Sequence, residues 1–211
     1  MTNYTALVAA KGTTGAIKTW VNRDNLDVET ILTEAEQLIY DRLRVREMLA
    51  SPQASTLTIG ADTLALPARY LATRVFRFTG IYKKDLRRRL LEDVEAEFNY
   101  DSDGNRVNGE PTMYYATATT LQFDQPADVA YPYRWIFYQR PAPLSAGNAT
   151  NFLTETKPSL LRAMCMAKAA EFLKDQKEKT YWLGVAGELI DAANAENDRE
   201  LLDLDLRVIP Q

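Results

Sequence analysis

Four stretches of this 211-residue chain carry side chains whose type or spacing bears on chemistry. In "DSDGNRVNGEPT", residues 101–112, Asp101, Asp103 and Asn105 stand where a calcium loop places its first three oxygen ligands. Such a loop needs glycine at its sixth position for the sharp turn and a bidentate glutamate at its twelfth. Here those positions hold Arg106 and Thr112, so the stretch reads as a polar surface loop. A second stretch gathers Lys83, Lys84, Arg87, Arg88 and Arg89, a charge that suits a phosphate backbone or an acidic protein. Glu92, Asp93, Glu95 and Glu97 follow directly and cancel that field beyond a Debye length of roughly 10 Å. A solvated or protein-facing surface is therefore the favoured reading. Third, Tyr114, Tyr115, Trp135, Phe137 and Tyr138 have the aromatic faces on which single-stranded bases stack. Aromatics on paired strands more often pack across the sheet, and the net charge of −4 points the same way. Fourth, Met164, Cys165 and Met166 read as helix packing, with the thiol acting as a small apolar group.

Other chemistries find no residues. The chain has no histidine, which removes the commonest general base and metal ligand and every imidazole-dependent triad. Its one cysteine, Cys165, rules out an internal disulfide and fits folding in a reducing cytoplasm. With no histidine and one cysteine, a structural zinc site lacks ligands. Neither a GxxxxGK[ST] nor a GxGxxG loop is present, so no nucleotide cofactor is expected, and no pair of acids stands out as general acid and base. The reading is of a protein without cofactor and without catalytic activity. No apolar run approaches the roughly 20 residues that span a bilayer, so no membrane partner is expected. "MTNYTALVAAKGTTGAIKTW" lacks a cationic start followed by an apolar block, and no signal peptide is expected. The sequon at Asn148–Thr150 then carries no weight.

The elements that must position these residues can be read from periodicity. A short helix is predicted over 14–22, then a polar break, "NRDNLD". Asp27 suits the N-cap of the next helix. Val28, Ile31, Leu32, Ala35, Leu38, Ile39 and Leu43 then recur with helical period, leaving Glu29, Glu34, Glu36 and Asp41 on the polar side. Pro52 marks its limit. From about residue 55 the period becomes two. "TLTIG" and "TLALP" read as a hairpin around Gly60, "RVFRFTG" as another strand, and "LRRRLLEDVEAEF" as strand passing to helix near Glu92. "MYYATATTLQF" and "YRWIFYQ" read as an antiparallel pair, with Pro126 and Pro132 in the connection. The last third is helical. Pro158 suits a first turn, "QKEK" marks a joint, and Tyr181, Trp182, Val185, Leu189 and Ile190 make a second apolar stripe.

The expected fold is thus α+β, a helical bundle formed by N- and C-terminal helices with an inserted antiparallel β-rich region. Residues 1–52 and 156–195 form the bundle, 53–155 the insertion, and 196–211 an extended C-terminal tail. In that tail Leu202, Leu204 and Leu206 alternate with Asp203 and Asp205, a pattern suited to adding a strand at a sheet edge.

The order of segments resembles the head-to-tail adaptor (connector) proteins of tailed bacteriophages. "IKTWVNRDNLDVETILTEAEQLIYDRLR" is followed by "LTIGADTLALPARYLATRVFRF", "EPTMYYATATTLQFDQPAD" and "YRWIFYQRPAPLSAGNATNFLTETKPSLLRAMCMAKAAEFLKD". The family's G-x-P-x-x-Y lead-in to a strand is matched by "GEPTMYY", residues 109–115. Its Y-x-x-x-P-x-L-S pattern corresponds to Tyr138–Ser145, where Ala142 stands at the proline position between Pro141 and Pro143; its N-x-L falls on Asn151–Leu153 and its A-x-F-L-x-D on Ala170–Asp175. The likeness covers about residues 4–195. Residues 99–110 are longer and more polar than the family habit, and the stretch after 195 lies outside it.

The resemblance implies a structural virion protein: a ring, usually of twelve copies, between the capsid portal and the tail. Such a ring extends the DNA channel and docks tail or nozzle components, with genomic DNA passing through without sequence-specific binding. On this chain two surfaces are candidates. Leu201, Leu202, Leu204, Leu206, Val208 and Ile209 would dock on the portal. Lys83, Lys84, Arg87, Arg88 and Arg89 would meet a tail protein or a neighbouring subunit. The alternative reading is a nucleic-acid-binding or DNA-packaging accessory protein.

Overall fold

The computed structural model describes residues 2–80 and 84–206, with backbone alone for 200–206. The chain is α+β and divides into two compact units, Met1–Met48 with Pro141–Gln211, and Leu49–Arg140.

The first unit is helical. Helix α1 (Tyr4–Leu7) is capped by Asn3, whose side chain accepts the Ala6 N–H at 2.8 Å. Helix α2 (Ile17–Val21) ends where Asn22 takes the left-handed conformation, φ 57°. Helix α3 (Val28–Arg42) begins at Asp27, whose carboxylate accepts the Thr30 N–H at 3.2 Å, and buries Val28, Ile31, Leu32, Ala35 and Ile39. After a 3-10 turn at Arg46–Met48 the chain leaves this unit and returns at Pro141. Helix α5 (Phe152–Thr156) is short and strongly capped. Asn151 accepts the N–H of Leu153 and Thr154, while the Thr154 hydroxyl accepts the Asn151 N–H.

Helix α6 (Pro158–Phe172) starts on its proline, whose missing N–H is no loss in a first turn. It buries Leu160, Leu161, Ala163, Met164, Cys165, Ala167, Ala169 and Ala170, nearly all round its axis. The alanines let α2, α3 and α7 (Gln176–Leu206) pack against it. Of its charges, Lys168 Nζ lies 2.9 Å from Glu34 and 3.2 Å from Glu171, and the Arg162 guanidinium lies over the Trp20 ring at 4.9 Å. The break between α6 and α7 falls at Lys174, φ 58°, and "QKEK" opens α7 instead of forming the joint. Helix α7 also corrects the expectation of an extended tail, because its backbone stays helical from 196 to 206. Lys157 Nζ holds Glu196 at 3.0 Å, and Asn197 is buried.

The second unit holds two four-stranded sheets. One runs β1 (Gln53–Leu57), β8 (Tyr131–Gln139), β3 (Tyr70–Phe78), β4 (Lys84–Asp85). The other runs β2 (Thr63–Ala65), β7 (Thr120–Phe123), β6 (Met113–Ala116), β5 (Arg87–Arg88). All pairings are antiparallel except β5 with β6, which is parallel. Helix α4 (Leu91–Ala96) follows β5 and buries Val94.

Two strand pairings differ from the sequence reading. β1 and β2 do not form a hairpin: the turn at Gly60, φ +78°, carries the chain from one sheet to the other. "MYYA" and "TLQF" pair with each other as β6 and β7, while "YRWIFYQ" lies in β8, between β1 and β3, with Pro132 inside the strand. Alternation marks a strand and its buried face, but not which neighbour covers it.

The two sheets share one aromatic core. Phe76 touches Phe78, Tyr114, Phe123, Tyr133 and Trp135, with ring centroids 5.0–6.2 Å apart. Such offset and tilted pairs add roughly 0.5–1.5 kcal/mol each beyond area burial.

Candidate interaction surfaces

Burial decides whether the aromatic residues form a stacking platform or a core. Trp135 and Phe137 are each 1% exposed, and Tyr114 and Tyr138 are also buried. The Trp135 indole N–H donates to Thr73 Oγ1 at 3.0 Å. No open face remains on these four for a nucleic-acid base.

The polar loop is held as a turn. Asp101 accepts the N–H of Asp103 at 2.9 Å and of Asn105 at 2.8 Å, and Gly104 takes φ +80°. The Asn105 N–H, foremost, holds the Asp101 carboxyl below its usual range. Arg106, at the position where a calcium loop has glycine, fastens the loop to the sheet. Its Nη1 binds Asp62 at 2.7 Å, its Nη2 donates to the Phe123 and Asp124 carbonyls at 2.7 Å each, and its guanidinium covers the Phe98 ring at 3.9 Å. Among the described residues no group of three or more acids or cysteines is placed to hold a metal ion.

Two buried carboxylates organise the segments that carried the family likeness. Asp124 accepts the Thr112 N–H (3.0 Å), the Thr112 hydroxyl (2.8 Å) and the Met113 N–H (3.3 Å), fixing "GEPTMYY" where it enters β6. Glu36, read from sequence as a polar-side residue, is only 2% exposed, which corrects that reading. It accepts the Leu144 N–H at 3.0 Å, the Asn151 amide at 2.6 Å and the Tyr40 hydroxyl at 3.1 Å. Thus "PLS" and "NFL" are both tied to the α3 segment "AEQLIYDR". Burial pushes the Glu36 carboxyl above its ordinary range, with the three hydrogen bonds opposing it. Burial, then the Glu36 charge, likewise raises Tyr40, and burial raises the Cys165 thiol, so that cysteine is a packing residue. Sequence carried no local signal for the burial of Glu36, because its donors on Leu144 and Asn151 lie 108 and 115 residues further along the chain.

The basic cluster is split by the fold. Lys83 lies outside the described residues. Lys84 Nζ is 3.1 Å from Glu110. Nearby Arg77 grips Asp85 with two donors, Nη2 to Oδ2 at 2.8 Å, which lowers the Asp85 pKa. Arg87, Arg88 and Arg89 remain exposed along the edge strand β5, next to Leu90, 70% exposed. The acids Glu92, Asp93, Glu95 and Glu97 are exposed on and just after α4.

The tail candidates lie apart from this edge in the chain. Leu201, Leu202, Leu204 and Leu206 belong to the end of α7, described by its backbone only, and Val208 and Ile209 lie outside the described residues. Further apolar exposure occurs at the turn between α6 and α7, where Phe172 is 53% and Tyr181 61% exposed. No described helix is long and apolar enough to cross a membrane.

Hydrogen-bonded buried carboxylates hold the segments of each unit together, while charged, aromatic and leucine side chains stand exposed at their surfaces. The sequence model of the SU10 adaptor protein family matches residues 4–205, and the chain belongs to that family of bacteriophage adaptor proteins, with a structural role in the phage. The match runs past the likeness read from sequence to include the helical end of α7. Curated proteins yield no match.

Proposed function

We propose that the chain forms a ring between the capsid portal and the tail, extends the DNA channel and docks tail components. The observation that carries this reading is the family match over residues 4–205, nearly the whole of both units. The helical unit, formed by the N- and C-terminal helices that precede and follow the β unit in the chain, acts as the bundle that sets the ring. A closed ring needs two different patches per subunit, related by a fixed rotation. Exposed Phe172, Leu173 and Tyr181 at the α6–α7 turn suit one such patch, because apolar side chains gain from burial against a neighbour. Twelve copies is the number the family likeness suggests.

The end of α7 meets the portal. Its helical backbone replaces the strand-addition idea for residues 201–206 with helix-in-groove docking. Leu202 and Leu206 stand at i and i+4, and Leu201 and Leu204 at i and i+3. Val208 and Ile209 extend the same apolar series. The basic edge, Lys83 and Lys84 through Arg87, Arg88 and Arg89, meets a tail or nozzle protein. Genomic DNA passes through the channel without sequence-specific binding, and the protein performs no catalysis. Subunits fold in the host cytoplasm and end in the virion at the head–tail interface. Burial of Tyr114, Trp135, Phe137 and Tyr138 weighs against the nucleic-acid-binding alternative, since it removes most of the stacking platform.

The test is co-sedimentation of the chain with the portal ring of the same genome, for the full chain and for a form ending at Arg199. The full chain should co-sediment and the shortened form should not, while keeping the full chain's near-ultraviolet circular dichroism and cooperative thermal unfolding. Equal co-sedimentation of both would remove the portal role of the α7 end.

A further inference from the structure

The basic edge has a geometry that says more about its partner than its charge alone. β5 is the outermost strand of its sheet. The Arg87 N–H donates to the Thr112 carbonyl at 3.2 Å, and the Arg89 N–H to the Tyr114 carbonyl at 3.0 Å. Backbone groups along a strand point alternately to its two sides, so the Arg88 N–H and C=O face the open edge. No described backbone group pairs with them. Beside this gap stand three exposed arginines, Leu90 at 70% exposure and the half-open Leu91. No described carboxylate forms an ion pair with Arg87, Arg88 or Arg89, although Lys84 and Arg77 alongside have Glu110 and Asp85.

We infer that this edge takes an extended acidic protein segment carrying apolar residues, which adds as a strand alongside β5. Backbone bonds to Arg88 supply the pairing, carboxylates on one face of the added strand meet Arg87 and Arg89, and apolar side chains on its other face cover Leu90. The acids of α4 set the choice of protein over nucleic acid. Glu92, Asp93, Glu95 and Glu97 lie immediately after the arginines and repel a continuous phosphate backbone. A peptide places its few charges selectively and avoids them. The inference names the chemistry of the tail-side partner and rests on the adaptor reading only for that partner's place in the virion.

The experiment uses the full chain, a short fluorescent peptide alternating Glu with Val, the same peptide methylated on its central backbone nitrogen, and a duplex DNA. Fluorescence anisotropy at low salt should show binding of the first peptide. Binding should weaken about tenfold or more on methylation, which removes one strand hydrogen bond and blocks close approach. It should fall similarly with Arg87→Glu, an exposed change whose fold circular dichroism checks. No peptide binding, indifference to methylation, or DNA binding as tight as the peptide would each overturn the inference. None of these results touches ring formation on a portal, so the two claims fail separately.

Discussion

Glu36 and Asp124 are the buried carboxylates among the described residues, and each spends its oxygens on backbone or amide donors from another segment. Removing either leaves donors buried without an acceptor, the costly form of losing a hydrogen bond. Glu36→Ala should lower unfolding free energy by about 2–3 kcal/mol, measured by urea denaturation at pH 7. The pH dependence has a definite sign. Folded Glu36 binds its proton more tightly than the unfolded chain does, so its ionisation opposes folding. This contribution to stability is whole below the unfolded pKa and is lost as pH rises through the folded one. Glu36→Gln has no such titration. The stability of the parent relative to Glu36→Gln should therefore fall between mildly acidic and neutral pH, and a constant difference would contradict the assignment. None of this was visible from helical period, which placed Glu36 with the solvent-facing acids. Period gives the direction of a side chain from its helix, not what the remaining chain lays over it.

At the scale of elements, legibility followed how local the determining interaction is. The start and apolar face of α3 could be read to the residue, because its N-cap and its stripe lie within its own segment, but it ends at Arg42, well before Pro52, the limit expected from sequence. α6 was legible from Pro158 and its run of helix formers. The strands were legible as strands but not as partners: β1–β2 look like a hairpin until the Gly60 turn sends them to different sheets. β8 illustrates why. Its buried face follows from alternation, yet β1 and β3 flank it from far away in sequence. The basic cluster could be seen as charge, while its division into paired Lys84 and open Arg87–Arg89 depends on Glu110 across the fold. Phe76 is where the two sheets meet, so Phe76→Ala should cost about 3–5 kcal/mol and weaken the near-ultraviolet circular dichroism of the packed rings. Arg106→Ala should leave both sheets in place but free the loop. Hydrogen exchange at Asn105 and Val107 should quicken with little change at Phe76 or Trp135.

For the whole molecule, two compact units within one chain suit a part that must be stable alone and joinable on several sides. Buried networks fix each unit internally, while apolar groups near the α6–α7 turn and basic groups at the β5 edge stand exposed. The proposed assembly therefore depends on surfaces that contribute little to the isolated fold. A double change of Phe172 and Tyr181 to Ser should leave thermal unfolding within a few degrees of the parent. Native mass spectrometry of the chain on the portal should then show fewer bound copies. Electron microscopy of purified chain mixed with the portal ring of the same genome tests the central claim most directly. A second ring seated on the tail side of the portal and continuing its channel is the predicted result. A portal without added density, under salt conditions that keep both proteins folded, would contradict the account.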